Sequence, residues 1–328
     1  MANPVRNILD SLLDVARGTL QPLKDPKRTD RTKALAAVGL VSFMWGTPWL
    51  VSSRGVAAMP VLQMSGIRHL IGGSVYIAFF TWKGHAWPSR SQLLQFLWMG
   101  LIMFLISNGL STWSVKFIPS GMAAVIGAIS PIWIAIFSLL MFRESKINLM
   151  TTLGLLLGFS GILVVFSDHL RAELSTAFIT GTSMGLIASM TWAVGTLYTV
   201  RHAKDLDPYY SLGWQMFLSG IMFISLARAT GEYLPLNAIP FDGWFAITYL
   251  VLLGSIMTFA AFIYALKRLP PAQASVYAYI NPIVAVILGA LLNHEKLSLT
   301  IAIGTLITLG GVFLVNTGFR RSSRQKAG

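Results

Sequence analysis

The chain repeats itself. Ile118-Pro119-Ser120-Gly121-Met122-Ala123, followed by Ser130-Pro131 and Arg143-Glu144, returns 151 residues later as Leu269-Pro270-Pro271-Ala272-Gln273-Ala274, followed by Asn281-Pro282 and His294-Glu295. A second correspondence, at an offset of 147, pairs Ser42 with Ser189, Trp45 with Trp192 and Arg54 with Arg201. Each half therefore carries the same sentence, and whatever one half folds into the other must fold into as well. Between the motifs the chain is built of apolar blocks of about 20 residues, the length that crosses a hydrocarbon core of roughly 30 Å. A duplicated apolar unit in such a chain is the signature of a carrier made of two related halves, with its ligand site between them.

Composition supports that frame. The 328 residues are 55% hydrophobic and only 11% charged, against about 25% charged in soluble domains. Cysteine is absent, which excludes disulfides and thiolate chemistry. The net charge of +13 suggests nucleic acid until the positions are read. The basic residues sit in short loops and tails, with no aromatic-interleaved basic face, so nucleic acid is not an expected partner.

Ten apolar blocks can be counted, near 34–53, 61–81, 93–115, 120–142, 148–167, 178–199, 209–228, 243–266, 272–292 and 299–318. With both termini cytoplasmic, 19 of the 25 Lys and Arg residues fall on the inner side and five, Arg54, Lys116, Arg171, Arg228 and Lys296, on the outer side, as the positive-inside rule requires. Arg68 lies within the second block. Five crossings per half is an odd number, so the second half enters from the opposite face and the repeat is inverted. The expected fold is an all-α integral membrane protein with ten transmembrane helices in two inverted five-helix repeats, at 34–167 and 178–318, followed by a basic cytoplasmic tail at 319–328. Ahead of them, residues 1–33 read as a cytoplasmic leader. Val5, Ile8, Leu9, Leu12, Leu13, Ala16 and Leu20 recur there at helical spacing, the pattern of an amphipathic helix lying on the leaflet.

The chain resembles the EamA branch of the drug/metabolite transporter superfamily. The resemblance rests on Trp45-Gly46-Thr47, on Arg68, and above all on Lys267 to Ala274 with Asn281-Pro282 and Glu295, partnered by Ile118 to Glu144. It implies a ten-helix carrier whose cavity is lined by helices 1, 3, 4, 6, 8 and 9, commonly an exporter. The small multidrug-export relatives depend on a membrane Glu in their first helix. Here that place reads Phe43-Met44-Trp45-Gly46, and all twelve acidic residues fall in tails, loops or helix ends. Proton-driven expulsion of lipophilic cations by that route is not expected, since intramembrane carboxylates normally mark it.

The candidate substrate-binding residues are Trp45, Thr47, Arg68, Trp113, Ser130, Trp192, Tyr264, Tyr277 and Asn281. Aromatic faces hold planar or cationic metabolites by stacking and cation–π contact. Trp45 and Trp192 are repeat-equivalent, each beside a Gly-Thr step. Trp82, Trp87, Trp244 and Tyr249 read instead as an interfacial belt. Arg68 has two readings: an anchor for a substrate carboxylate, or a side chain snorkelling to the outer headgroups. His69 reads as a hydrogen-bonded structural residue. Ser130-Pro131 and Asn281-Pro282 loosen their helices and free a carbonyl one turn earlier. Gly154, Gly158, Gly161, Gly304, Gly310 and Gly311 let backbones approach, through packing of the two halves in preference to a homodimer. No zinc spacing, phosphate loop or nucleophile elbow occurs, so neither cofactor nor catalysis is expected. The expectation is a secondary transporter, an exporter, of a small polar or amphipathic metabolite such as an amino acid, resident in a bacterial inner membrane and bounded by lipid. A non-transporting sensor or scaffold with the same fold is the alternative.

Overall fold

The computed structural model describes residues 26–142, 149–171, 175–202, 207–266, 268–269 and 277–325. The leader over 1–25, the Arg143-Glu144 motif and the Pro270–Ala274 stretch lie outside the described residues. Those that are described form helices and no strand. In chain order these are α1 (Pro26–Met44), α2 (Thr47–Ala58), α3 (Val61–Trp82), α4 (Arg90–Ser114), α5 (Ser120–Ala128), α6 (Ser130–Phe142), α7 (Leu149–Arg171), α8 (Thr176–His202), α9 (Pro208–Ala229), α10 (residues 241–266), α11 (Tyr277–Asn293) and α12 (Leu299–Gln325). α1 begins at Pro26, so the basic run that leads into the first apolar block is already helical.

Among the described residues, eight helices are long and apolar enough to cross a membrane, with α1 and α2 counted as one and α5 and α6 as another. A ninth apolar helix, Tyr279–Asn293, is shorter. α3 has the length, at 22 residues, but Gln63, Arg68 and His69 lower its hydropathy and keep it out of the eight.

Helix ends follow local chemistry. Ser89 and Gln92 close a capping box on α4, which satisfies two donors that the helix leaves open. Asp207 Oδ1 accepts from the N–H groups of Tyr209 and Tyr210 at 3.0 and 2.9 Å, with Pro208 at the first turn of α9. Beyond the last turns of α3 and α9 stand Gly84 (φ +85°) and Gly231 (φ +72°), 147 residues apart, in the left-handed region that glycine enters without strain.

Two antiparallel helix pairs bring backbones into contact. A Cβ on Gly73 of α3 would stand 2.7 Å from the Gly213 carbonyl of α9, and one on Gly220 would stand 3.1 Å from the Gly66 carbonyl. Between α7 and α12 the same pattern recurs. Cβ atoms on Gly154 and Gly161 would meet the carbonyls of Gly311 and Gly304 at 2.8 Å each, and those on Gly311 and Gly304 would meet Gly154 and Gly161 at 2.7 and 2.8 Å. The glycines of α7 and α12 thus pack against each other within one chain.

The main apolar core gathers around α5 and α6, whose Val125, Ile126, Ile129 and Ile132 are fully buried against Val165, Val286, Val312 and Val315. Two stretches are wound as π-helix, Gly100–Asn108 within α4 and Leu250–Met257 within α10. In the first, Gly109 N–H reaches back to the Phe104 carbonyl, five residues away.

Candidate functional site

The first apolar block is two helices rather than one, and the break is chemical. Pro48 has no N–H to give the Met44 carbonyl, so that carbonyl needs another donor. The Thr47 hydroxyl supplies it at 2.8 Å, and the Tyr249 hydroxyl in turn donates to Thr47 Oγ1 at 2.8 Å. Gly46 lets α11 lie against the break, because a Cβ there would stand 2.6 Å from Val284 and 3.0 Å from the Asn281 carbonyl oxygen.

Trp45 projects from this break into a ring cluster. Its indole lies 5.0 Å from Phe259, 5.0 Å from Phe262 and 4.8 Å from Tyr277, the Phe259 and Tyr277 contacts being edge-to-face. That geometry is preferred between aromatic quadrupoles. The indole N–H donates to the Gly254 carbonyl at 3.3 Å, inside the π-helical stretch of α10. Arg68 reaches the same residue from α3. Its Nη2 lies 3.7 Å from the point where a Gly254 Cβ would be, alongside Pro48 Cγ at 3.7 Å. Among the described residues Arg68 has no hydrogen bond or ion pair, and its Nε is buried without a partner. A π-helical stretch, a glycine wall, a guanidinium without a hydrogen-bond partner among the described residues and an aromatic box therefore converge on Gly254. π-Helical winding inside a longer α-helix is frequent at functional sites. The combination presents one anion-binding group beside apolar rings, with no carboxylate among the described residues within ion-pair distance of Arg68.

The candidate residues divide. Trp45, Thr47, Tyr277 and Arg68 meet around the break. Asn281 lies beside Gly46, with Oδ1 buried and without a partner. The other four lie elsewhere. Trp113 packs with Leu62, Phe223 and Ala227. Ser130 closes the Ile129 break between α5 and α6 by donating to the Gly127 carbonyl at 2.6 Å. Tyr264 packs against Ala34 and Val38, with the Arg268 guanidinium 3.8 Å above its ring. Trp192 is partly buried and, among the described residues, makes no ring contact with the Trp45 cluster. The asymmetry has a sequence cause. Positions 150 to 151 residues before Phe259, Phe262 and Tyr277 hold Asn108, Gly109, Ser111, Thr112, Ile126 and Gly127, none of them aromatic.

Sequence reasoning missed Gly254, Phe259 and Phe262. The i, i+3 spacing of the two phenylalanines was a usable signal, whereas no local signal marks Gly254. Tyr249, read from the sequence as part of the interfacial belt, is also a hydrogen-bond partner of Thr47. His69 is buried between Phe104 and Phe223, stacked on the latter at 5.4 Å. No group of three or more His, Asp or Glu side chains among the described residues could hold a metal ion.

A chain whose described residues are helical, with eight membrane-length apolar helices among them, is an integral membrane protein. The family model of EamA-like transporters matches residues 32–167 and 179–317, and the chain belongs to that family. It is 33% identical to the uncharacterized inner membrane transporter YedA of Escherichia coli (strain K12), over 78% of this chain and 81% of that one. It is 24% identical to the uncharacterized transporter YoaV of Bacillus subtilis (strain 168), over 88% and 98%. A solved crystal structure superposes with a TM-score of 0.62 at 18% identity, covering 88% of this chain and 98% of that one, a likeness of fold alone. The family and both relatives are named as transporters, not enzymes.

Proposed function

We propose that the chain is a secondary transporter that moves a small polar or amphipathic metabolite, such as an amino acid or a related compound, by alternating access, in the exporting direction. In this reading α3 and α11 also cross the membrane. The chain then has ten spans in two inverted five-helix repeats, with both termini cytoplasmic, in a bacterial inner membrane. The observation that carries the reading is the reciprocity of the glycine contacts. At the 147-residue offset Gly66 corresponds to Gly213 and Gly73 to Gly220, so the contact of Gly73 with Gly213 maps onto that of Gly220 with Gly66. At an offset of 150, Gly154 corresponds to Gly304 and Gly161 to Gly311, and their contacts map in the same way. Contacts that map onto themselves under the repeat are what a pseudo-two-fold axis between inverted halves produces. The π-helical stretches, which start at Gly100 and Leu250, obey the same offset. The Trp45–Arg68 site lies where helices of the first half meet α10 and α11 of the second, the place where such carriers hold their ligand.

The test is metabolite-induced thermal shift of the purified protein, because a ligand that binds only the native state raises apparent stability. Counterflow in proteoliposomes follows for each hit. Arg68→Ala is expected to lower counterflow by about tenfold or more, and Arg68→Lys to keep part of it, since a point charge remains without the bidentate fork. A ligand that shifts stability yet never shows counterflow would make the chain a sensor. Normal transport by both Arg68 variants would assign that side chain to snorkelling.

A further inference from the structure

The molecule has a contact between its halves that lies away from the Trp45 site. Glu295 follows α11 in the second half. Its Oε1 accepts from the Ser120 N–H at 2.8 Å and from the Ser120 hydroxyl at 2.6 Å, and its Oε2 accepts from the Gly121 N–H at 3.1 Å. One carboxylate thus takes the open donors at the start of α5, in the first half, where the helix dipole also favours negative charge. The approach is built in. His294 adopts φ +53°, and the Glu295 N–H closes the end of α11 on the Gly289 carbonyl at 3.1 Å, which aims the side chain back along the helix. Gly289 makes the room, because a Cβ there would stand 2.8 Å from the Glu295 carboxyl carbon. Below the contact α5 and α11 touch directly, with a Gly121 Cβ falling 2.9 Å from the Val286 backbone. Arg54 of α2 donates to the Leu292 carbonyl on the same side.

The repeat does not carry the residues of this contact twice. At the 151-residue offset Glu295 corresponds to Glu144, Ser120 to Pro271 and Gly289 to Ser138. Proline offers neither an N–H nor a hydroxyl, and serine has the Cβ that the pose of Glu295 excludes. The two glutamates match in sequence, but the positions matched to Ser120 and Gly289 keep neither the serine donors nor the glycine.

We infer that Glu295 is a one-sided latch, which holds the halves together at the end of the molecule carrying Lys116 and Lys296, the outer end in the topology proposed above, whereas the repeat-equivalent Glu144 is matched with Pro271 and Ser138 in place of Ser120 and Gly289. The inference rests on the alternating-access reading. It makes the closed outer gate the resting state and latch release the step that precedes opening outward. Closure needs the carboxylate, the Ser120 donors and a glycine at 289.

The absence of cysteine makes the test direct. Val286→Cys places a single thiol behind the latch, and a membrane-impermeant methanethiosulfonate reagent is added to either side of sealed vesicles that carry the full chain. In the Val286→Cys parent, labelling is slow from the outside. Adding Glu295→Ala is expected to raise that rate on the order of tenfold or more, because charge-assisted hydrogen bonds are lost. Ser120→Pro is expected to do the same. It removes both Ser120 donors by importing the residue of the other half, and proline is well accepted at the first position of a helix. Gly289→Ala, which displaces the carboxylate without removing it, is the third arm. Unchanged rates in all three variants overturn the latch. A rise with Glu295→Ala alone overturns the assignment of Ser120 as its partner. A rise only from the inside overturns the placement of the gate. Labelling does not depend on substrate, so a failed latch and a failed transport assay are separate results.

Discussion

The glycine crossing of α3 and α9 can be weighed with single methyl groups. Gly39 of α1 and Gly73 of α3 are both helical, but a Cβ on Gly39 meets nothing within 4 Å, whereas one on Gly73 falls 2.7 Å from the Gly213 carbonyl oxygen and 2.8 Å from the Phe217 Cα. Replacing Gly by Ala gains about 0.5–1 kcal/mol of helix stability at either site. At Gly73 the partner is main chain, which has no rotamer to yield, so the two helices must separate, at an overpacking cost of about 1–3 kcal/mol. Subtracting the two variants cancels the shared helical gain and leaves that cost. Gly39→Ala is therefore expected to be as stable as the parent or more so, and Gly73→Ala less stable than Gly39→Ala by about 1–3 kcal/mol. Gly220→Ala should match Gly73→Ala, because the two contacts are reciprocal. The double variant should cost less than the sum, since helices already parted admit the second methyl more cheaply. The assay is unfolding by sodium dodecyl sulfate in mixed micelles, followed by tryptophan fluorescence. If Gly73→Ala and Gly39→Ala agree within about 0.3 kcal/mol, the crossing is not a contact of backbone on backbone and the reasoning fails.

Gln63, fully buried in α3, donates to the Leu234 carbonyl at 2.7 Å and accepts from its N–H at 2.9 Å. Gln63→Ala is expected to destabilise by about 1–3 kcal/mol in the same assay, since it strands both backbone groups, and parent-like stability would mean that water replaces the amide. At the ring cluster, Trp45→Ala is expected to weaken substrate binding by about 1–3 kcal/mol. Trp45→Phe should fall between Ala and the parent, keeping a ring but losing the N–H that holds the Gly254 carbonyl. Calorimetry on folded protein decides, and intact binding in Trp45→Ala would return the residue to packing.

Much of the architecture was legible because it is periodic. The apolar blocks, the two offsets and the positions of Gly66, Gly73, Gly213 and Gly220 are all present in the letters, and so are the left-handed stops Gly84 and Gly231. The glycines of α7 and α12 could be read as a packing surface, though only coordinates could say that they face each other. The winding of residues 100–108 and 250–257 was not legible, because a shift from i→i+4 to i→i+5 bonding leaves no mark of proline or apolar period. Nor was the one-sidedness of the ring cluster. Trp45 and Trp192 match as letters, but a residue's neighbours come from other helices, and the repeat has changed those from Phe and Tyr to Asn, Gly, Ser, Thr and Ile. Tyr249 illustrates the same limit. Its place near a helix end was readable, while the face it turns to Thr47 depends on how α10 meets the break at Trp45.

The polar content of α3 also bears on how the protein is made. A translocon releases segments into lipid according to their apolarity, and α3 brings Gln63, Arg68 and His69 with it. Its backbone-deep partner, α9, begins only at Pro208. At ~5–20 residues per second, synthesis of the intervening chain takes on the order of ten seconds. With α3 as a span, as proposed above, the nascent first half would hold throughout that interval a segment whose closest backbone partner has not yet been made. The first half is thus a poor stand-alone product. A ribosome stalled before α9 leaves a fragment whose least lipid-compatible segment stays available to membrane proteases and insertases, and completion of the second half ends that exposure.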